Sequence, residues 1–155
     1  MIEASAGGKE LTITAFDPLK GRGKVLRTIP NDPVNPFGGT VSPDGTIFAL
    51  TRRGEAEIRI RLLSLLGGPD REITAKGWPN DSGLDWSPDG KGLYTGSVSP
   101  QRLTLLYVDL KGNAKVLWQY KGSSGVIAGV PSPDGRHLAV DLKVDNSNVW
   151  MLENF

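Results

Sequence analysis

The tetrapeptide Ser-Pro-Asp-Gly occurs three times: as Ser42, Pro43, Asp44 and Gly45, as Ser87, Pro88, Asp89 and Gly90, and as Ser132, Pro133, Asp134 and Gly135. Successive copies start 45 residues apart. One string recurring at one interval marks an internal repeat, in which each unit needs neighbours to cover its faces. The string itself encodes a turn. Proline presets φ for the first central position, aspartate suits the second, and glycine takes the left-handed conformation that lets an antiparallel strand depart. The serine hydroxyl is placed to tie the turn.

Apolar runs follow each copy: Ile47-Phe48-Ala49-Leu50, Leu93-Tyr94 and His137-Leu138-Ala139-Val140. With 20 glycines, 11 prolines and no long helical pattern, the chain reads as many short strands joined by turns. Strands are expected at 11–17, 24–29, 39–41, 46–51, 58–64, 71–74, 83–86, 92–96, 103–109, 114–120, 126–130, 136–141 and 149–152. Three prolines within 30–36 forbid regular pairing there. Four antiparallel strands per 45 residues is the period of propeller blades. The expected fold is therefore all-β, a partial β-propeller of about 3.4 four-stranded blades. A loose segment at 1–9 precedes a half blade at 10–29. Full blades follow at 37–74 and 82–120, then an incomplete blade at 126–155.

The Trp86-Ser87-Pro88-Asp89-Gly90 turn, followed by a short apolar strand, resembles the blade repeat of TolB-type propellers. Val41 and Pro131 stand where the tryptophan would be in the outer copies. The ending 148–155 resembles the carboxy terminus of large bacterial sensor proteins, some of them serine/threonine kinases with a propeller after the catalytic domain. No kinase signature is present, so the resemblance carries no catalytic residue to this chain. It implies a recognition or scaffold module, the C-terminal part of a larger bacterial sensor or envelope protein. The alternative is the propeller of a peptidase or kinase whose catalytic domain lies elsewhere. A mid-blade start suggests a fragment; the rival is a half-ring closed by a second copy, since open blade faces invite pairing.

The net charge of +1 gives no electrostatic ground for nucleic acid or an anionic membrane as partner. No apolar run approaches the roughly 20 residues of a spanning helix. The first eight residues lack the basic and apolar regions of a signal peptide. The absence of cysteine removes disulfide and thiol chemistry and leaves the compartment open. The expected partner is a protein or peptide.

Parity of the hairpins sorts the loops into two ends. The three Ser-Pro-Asp-Gly turns share one end with the turns at 20–23, 65–69 and 111–113. The other end collects the longer connections, with Arg52, Arg53, Lys76, Trp78, Gln101, Arg102 and Lys143. An exposed tryptophan among cations on a rigid scaffold is suited to a peptide or acidic ligand. Solvated loop residues are the plainer account.

No pattern calls for a cofactor, a metal or a catalytic set. His137 is the single histidine, directly after a turn, and no Gly-x-Ser-x-Gly elbow accompanies it. The 122–125 stretch, with Ser123 and Ser124, is a flexible loop. Gly21-Arg22-Gly23-Lys24 lacks the phosphate-loop frame. Asp141, Asp145, Asn146 and Asn148 depart from EF-hand spacing, and Asn80 heads a glycosylation sequon. Alternation puts Arg59 and Arg61 on one strand face. Either carboxylates such as Glu57, Glu72 or Asp85 meet them, or the strand lies far enough out to reach water. First-strand positions Gly38, Thr40, Gly83, Asp85, Ala128 and Val130 offer a single carboxylate to the ring axis.

Overall fold

In the computed structural model, which describes residues 1–31, 37–52, 54, 56–79, 81–122 and 125–144, the backbone forms antiparallel strands joined by short turns. A first sheet joins β1 (Ile2–Ala4), β2 (Glu10–Asp17) and β3 (Gly21–Pro30). The second contains β4 (Phe37–Val41), β5 (Ile47–Arg52), β6 (Ile58–Ser64) and β7 (Arg71–Ala75) in chain order. The third repeats that order with β8 (Asp81–Trp86), β9 (Gly92–Ser99), β10 (Arg102–Asp109) and β11 (Ala114–Lys121). β12 (Gly125–Pro131) and β13 (Leu138–Val144) make the fourth. Each sheet is one blade. The expected strand at 149–152, Arg53, Asn80, Ser123, Ser124, Asp145, Asn146 and Asn148 lie outside the described residues, as does 32–36.

The blades stack in sequence and the core lies in the seams. Ile13 and Ile29 of the first blade meet Phe48, Leu50, Leu63 and Leu65 of the second. Ala49, Ile58, Ile60, Leu62, Ile73 and Ala75 on its other face meet Trp86, Leu93, Leu106 and Val108 of the third. Leu103 and Leu105 turn the other way, toward Ile127 of the fourth. Strands β6 and β10 thus bury alternate residues against different neighbours, as period-2 geometry requires. Each fully buried Leu or Ile contributes about 1.5–3 kcal/mol.

The N-terminal segment and the starts of two strands differ from the sequence reading. The segment 1–9, expected as a loose start, carries β1. Its strand takes the free edge of β2, with Ile2 opposite Ile13 and Ala4 opposite Leu11, and is joined to β2 by a turn in which Gly7 and Gly8 have φ of 88° and 66°. The terminal ammonium donates to the Thr14 carbonyl at 2.9 Å, and Glu3 pairs with Arg22. β3 begins at Gly21, earlier than expected, because Asp17 Oδ1 accepts the Leu19 and Lys20 amides and closes a shorter turn. β13 begins at Leu138, so Arg136 and His137 belong to the turn before it.

Arg59 and Arg61 are exposed on β6, opposite the face that Ile58, Ile60 and Leu62 bury. Arg61 stands across from Glu72 in the β6–β7 register. Glu57 accepts the Gly77 amide and Asp85 accepts the Thr40 hydroxyl. The first blade covers Leu63 and Leu65, while Arg59 and Arg61 stay exposed, so the cost of burying a guanidinium does not arise.

Candidate functional site

The three repeated turns are superposable in their hydrogen bonding. In the second blade the Gly45 amide donates to the Ser42 carbonyl at 2.8 Å, and Gly45 has φ of 74°. The Ser42 hydroxyl donates to Asp44 Oδ1 at 2.5 Å and accepts the Ile47 amide at 3.0 Å. Ser87 and Ser132 repeat this with Asp89 at 2.7 Å and Asp134 at 2.6 Å. They accept the amides of Gly92 at 3.1 Å and His137 at 3.0 Å. Each serine thus satisfies an N–H at, or one residue before, the start of the next strand and fixes its aspartate. The serine hydroxyls, with backbone amides next, hold Asp44, Asp89 and Asp134 below the ordinary carboxylate value of 3.8.

Adjacent blades are also tied at repeat-equivalent positions on their first strands. Thr40 Oγ1 donates to Asp85 Oδ1 at 3.2 Å, 45 residues on. Ser82 Oγ donates to the Ile127 carbonyl at 2.8 Å and accepts its amide at 3.2 Å, again 45 residues on. Gly96 permits that approach, since a Cβ there would fall 2.1 Å from the Ile127 oxygen. Of the first-strand residues expected near the axis, Thr40 and Asp85 therefore form an inter-blade tie.

The residues of the expected loop face divide. Lys76, Gln101 and Arg102 are exposed at that end. Arg102 Nη1 donates to Gln119 Oε1 at 3.3 Å, and the Gln101 carbonyl accepts the Gly122 amide at 3.2 Å. Trp78, expected as an exposed platform, is half-buried and packs against the core between the second and third blades. Its carbonyl accepts the Ile58 amide at 2.7 Å, which pins the loop inward. Arg52 ends β5 and is exposed. Lys143, expected in a loop, lies within β13 opposite Val126, because the alternation of Asp141, Leu142, Lys143 and Val144 extends that strand. Arg53 lies outside the described residues. His137 is exposed, and the contacts it makes with Ser132 are through its backbone amide and carbonyl.

One buried group escaped the sequence reading. Asp81 precedes the strand expected at 83–86, yet it opens β8 and is 7% exposed. Thr51 Oγ1 donates to its Oδ2 at 2.5 Å, while Oδ1 has no hydrogen-bond partner among the described residues. The positions 45 residues either way, Pro36 and Val126, hold no polar side chain. That break in the repeat was the available signal.

No family model matches the chain, and no curated protein matches it. Solved structures do. A structure from a study of two prolyl endopeptidases matches at TM-score 0.58 and 19% identity, over 87% of this chain and 23% of that one. The β-propeller domain of Swd1 from Myceliophteria thermophila matches at TM-score 0.56 and 17% identity, over 91% and 47%. The periplasmic gluconolactonase of Pseudomonas aeruginosa matches at TM-score 0.50 and 15% identity, over 91% and 49%. The likeness is one of fold. The chain is an all-β partial propeller, and it spans from about a quarter to about half the length of these neighbours.

Proposed function

We propose that the chain is a non-catalytic recognition module, the C-terminal part of a larger bacterial propeller-containing sensor or envelope protein. Its loop end receives an acidic segment of a protein or peptide. The observation that carries this reading is the exposure of Lys76 and Gln101 on turns, and of Arg102 at the start of β10, at one end of antiparallel blades. Rigid scaffolds with variable loops are where binding surfaces concentrate. The Lys76→Glu, Arg102→Glu double variant should abolish capture of an acidic peptide by the full chain, with its far-ultraviolet spectrum unchanged. Equal capture by both proteins refutes the loop-end assignment.

Coverage of about half a propeller in two of the neighbours supports a ring completed by further blades. Exposed Phe16 and Val25 on the first blade, and Val130 and Val140 on the fourth, are consistent with that. A second copy of the chain is the other way to complete it. Light scattering separates the two: a homodimer gives twice 16.6 kDa, and a module awaiting its parent gives 16.6 kDa.

The second reading is a propeller serving a peptidase or kinase domain, and the likeness to the prolyl endopeptidase structure supports its peptidase form. It predicts that the chain binds a separate catalytic domain, which a pull-down with the parent's remaining segment would reveal.

A further inference from the structure

The repeated turn builds two equivalent clefts that differ in what fills them. Between the second and third blades a cavity of about 430 Å³ is lined by Pro43, Asp44 and Ile47 of one blade and by Trp86 and Asp89 of the next. Between the third and fourth it widens to about 610 Å³, lined by Asp89, Tyr94, Tyr107, Pro133 and Asp134. Moving 45 residues along the repeat turns Ile47 into Gly92 and Trp86 into Pro131. Both large fillers are gone at once. Tyr107 takes the room left at Gly92, where a Cβ would lie 2.5 Å from its ring. Tyr94 meets it edge to face, with ring centroids 5.6 Å apart.

The geometry points to the cleft between the third and fourth blades as a site for a basic side chain, the guanidinium or ammonium of an arginine or lysine on a partner peptide. Aromatic faces attract cations, and two carboxylates at the rim supply the opposite charge. The serine hydroxyls of the two turns keep those carboxylates ionised. Burial, with smaller contributions from Tyr107 and Asp89, pushes the Tyr94 phenol up, so it stays neutral. Two cations of the chain itself already lie beside the rim. Lys91 Nζ is 3.6 Å from Asp89 and Arg136 Nε is 2.7 Å from Asp134, both on side chains 79% exposed. Exposed pairs of this kind are weak and screened by salt, so they serve as replaceable counter-ions. The site lies at the turn end, opposite the loop end, and its test is independent of the loop-end reading.

The test is a two-dimensional amide NMR titration of the full chain with the capped tripeptide Gly-Arg-Gly, and with Gly-Gln-Gly as the neutral control. The arginine peptide should shift the amides of Asp89, Tyr94, Tyr107 and Asp134 saturably, and the glutamine peptide should not. Raising salt to about 0.5 M should weaken binding several-fold. Arg136→Ala should strengthen it about twofold by freeing Asp134, and Asp89→Asn with Asp134→Asn should weaken it about tenfold. Pro131→Trp, which restores the filler, should abolish it. If that variant misfolds, the wild-type salt series and Arg136→Ala still decide. Absence of saturable shifts, equal response to both peptides, or binding indifferent to salt overturns the proposal.

Discussion

The seam between the second and third blades and the seam between the third and fourth start from the same turn and diverge in their filling. In the first, Trp86 is 4% exposed and stands in a cluster with Ile60, Leu62, Leu93 and Leu106. In the second, a smaller cluster of Leu103, Leu105 and Ile127 carries the contact, backed by the Ser82 tie to Ile127. The difference teaches that the repeat fixes the backbone of a blade, while single large side chains decide whether a seam is core or cleft.

The largest expected effect breaks the filled seam. Trp86→Ala should cost about 3–5 kcal/mol in urea denaturation, whereas Pro131→Ala, at the equivalent place, should cost under about 1 kcal/mol. Trp86→Phe sharpens the point. The indole N–H is buried with no hydrogen-bond partner among the described residues, so its removal offsets part of the lost volume and should leave a cost of about 1 kcal/mol or less.

Next is Thr51→Val at the inner edge of the filled seam. It leaves the buried Asp81 carboxyl without its hydroxyl donor and should cost about 1–3 kcal/mol. A compensating Asp81→Asn change that restored no stability would argue against this pairing. A smaller effect separates the turns: Ser87→Ala, at a side chain 3% exposed, should cost more than Ser132→Ala in its half-buried turn, about 1–2 against about 0.5 kcal/mol.

The smallest effect is on pH. Asp44, Asp89 and Asp134 have depressed values when folded, so the stability they supply is fully present above the ordinary value of 3.8. It is lost as pH falls below that value through the folded ones. Denaturation midpoints should be flat from neutral pH down to about 4 and drop beneath it. The Asp134→Asn variant should flatten that drop slightly.

Legibility in the sequence followed range. The turns were readable because Ser, Pro, Asp and Gly specify their own hydrogen bonds within six residues, and the 45-residue interval then fixed the blade. The burial of Trp78 depends on a core assembled from two blades, which no local pattern reveals. Lys143 was misplaced by ending a strand at Asp141 while the alternation continued. The segment 1–9 looked loose because only pairing with β2 makes Ile2–Ala4 a strand. Asp81 depended on Thr51, 30 residues earlier and in another blade. The substitution of Pro131 for tryptophan was visible from the start, but its consequence needed the cleft.

Amide hydrogen exchange at neutral pH tests the contrast between the seams most directly. The account predicts the slowest exchange at Ala49, Ile60 and Leu106, and faster exchange along β12 and β13 at Ala128 and Val140. Protection of β12 and β13 equal to or greater than that of β5, β6 and β10 would contradict it.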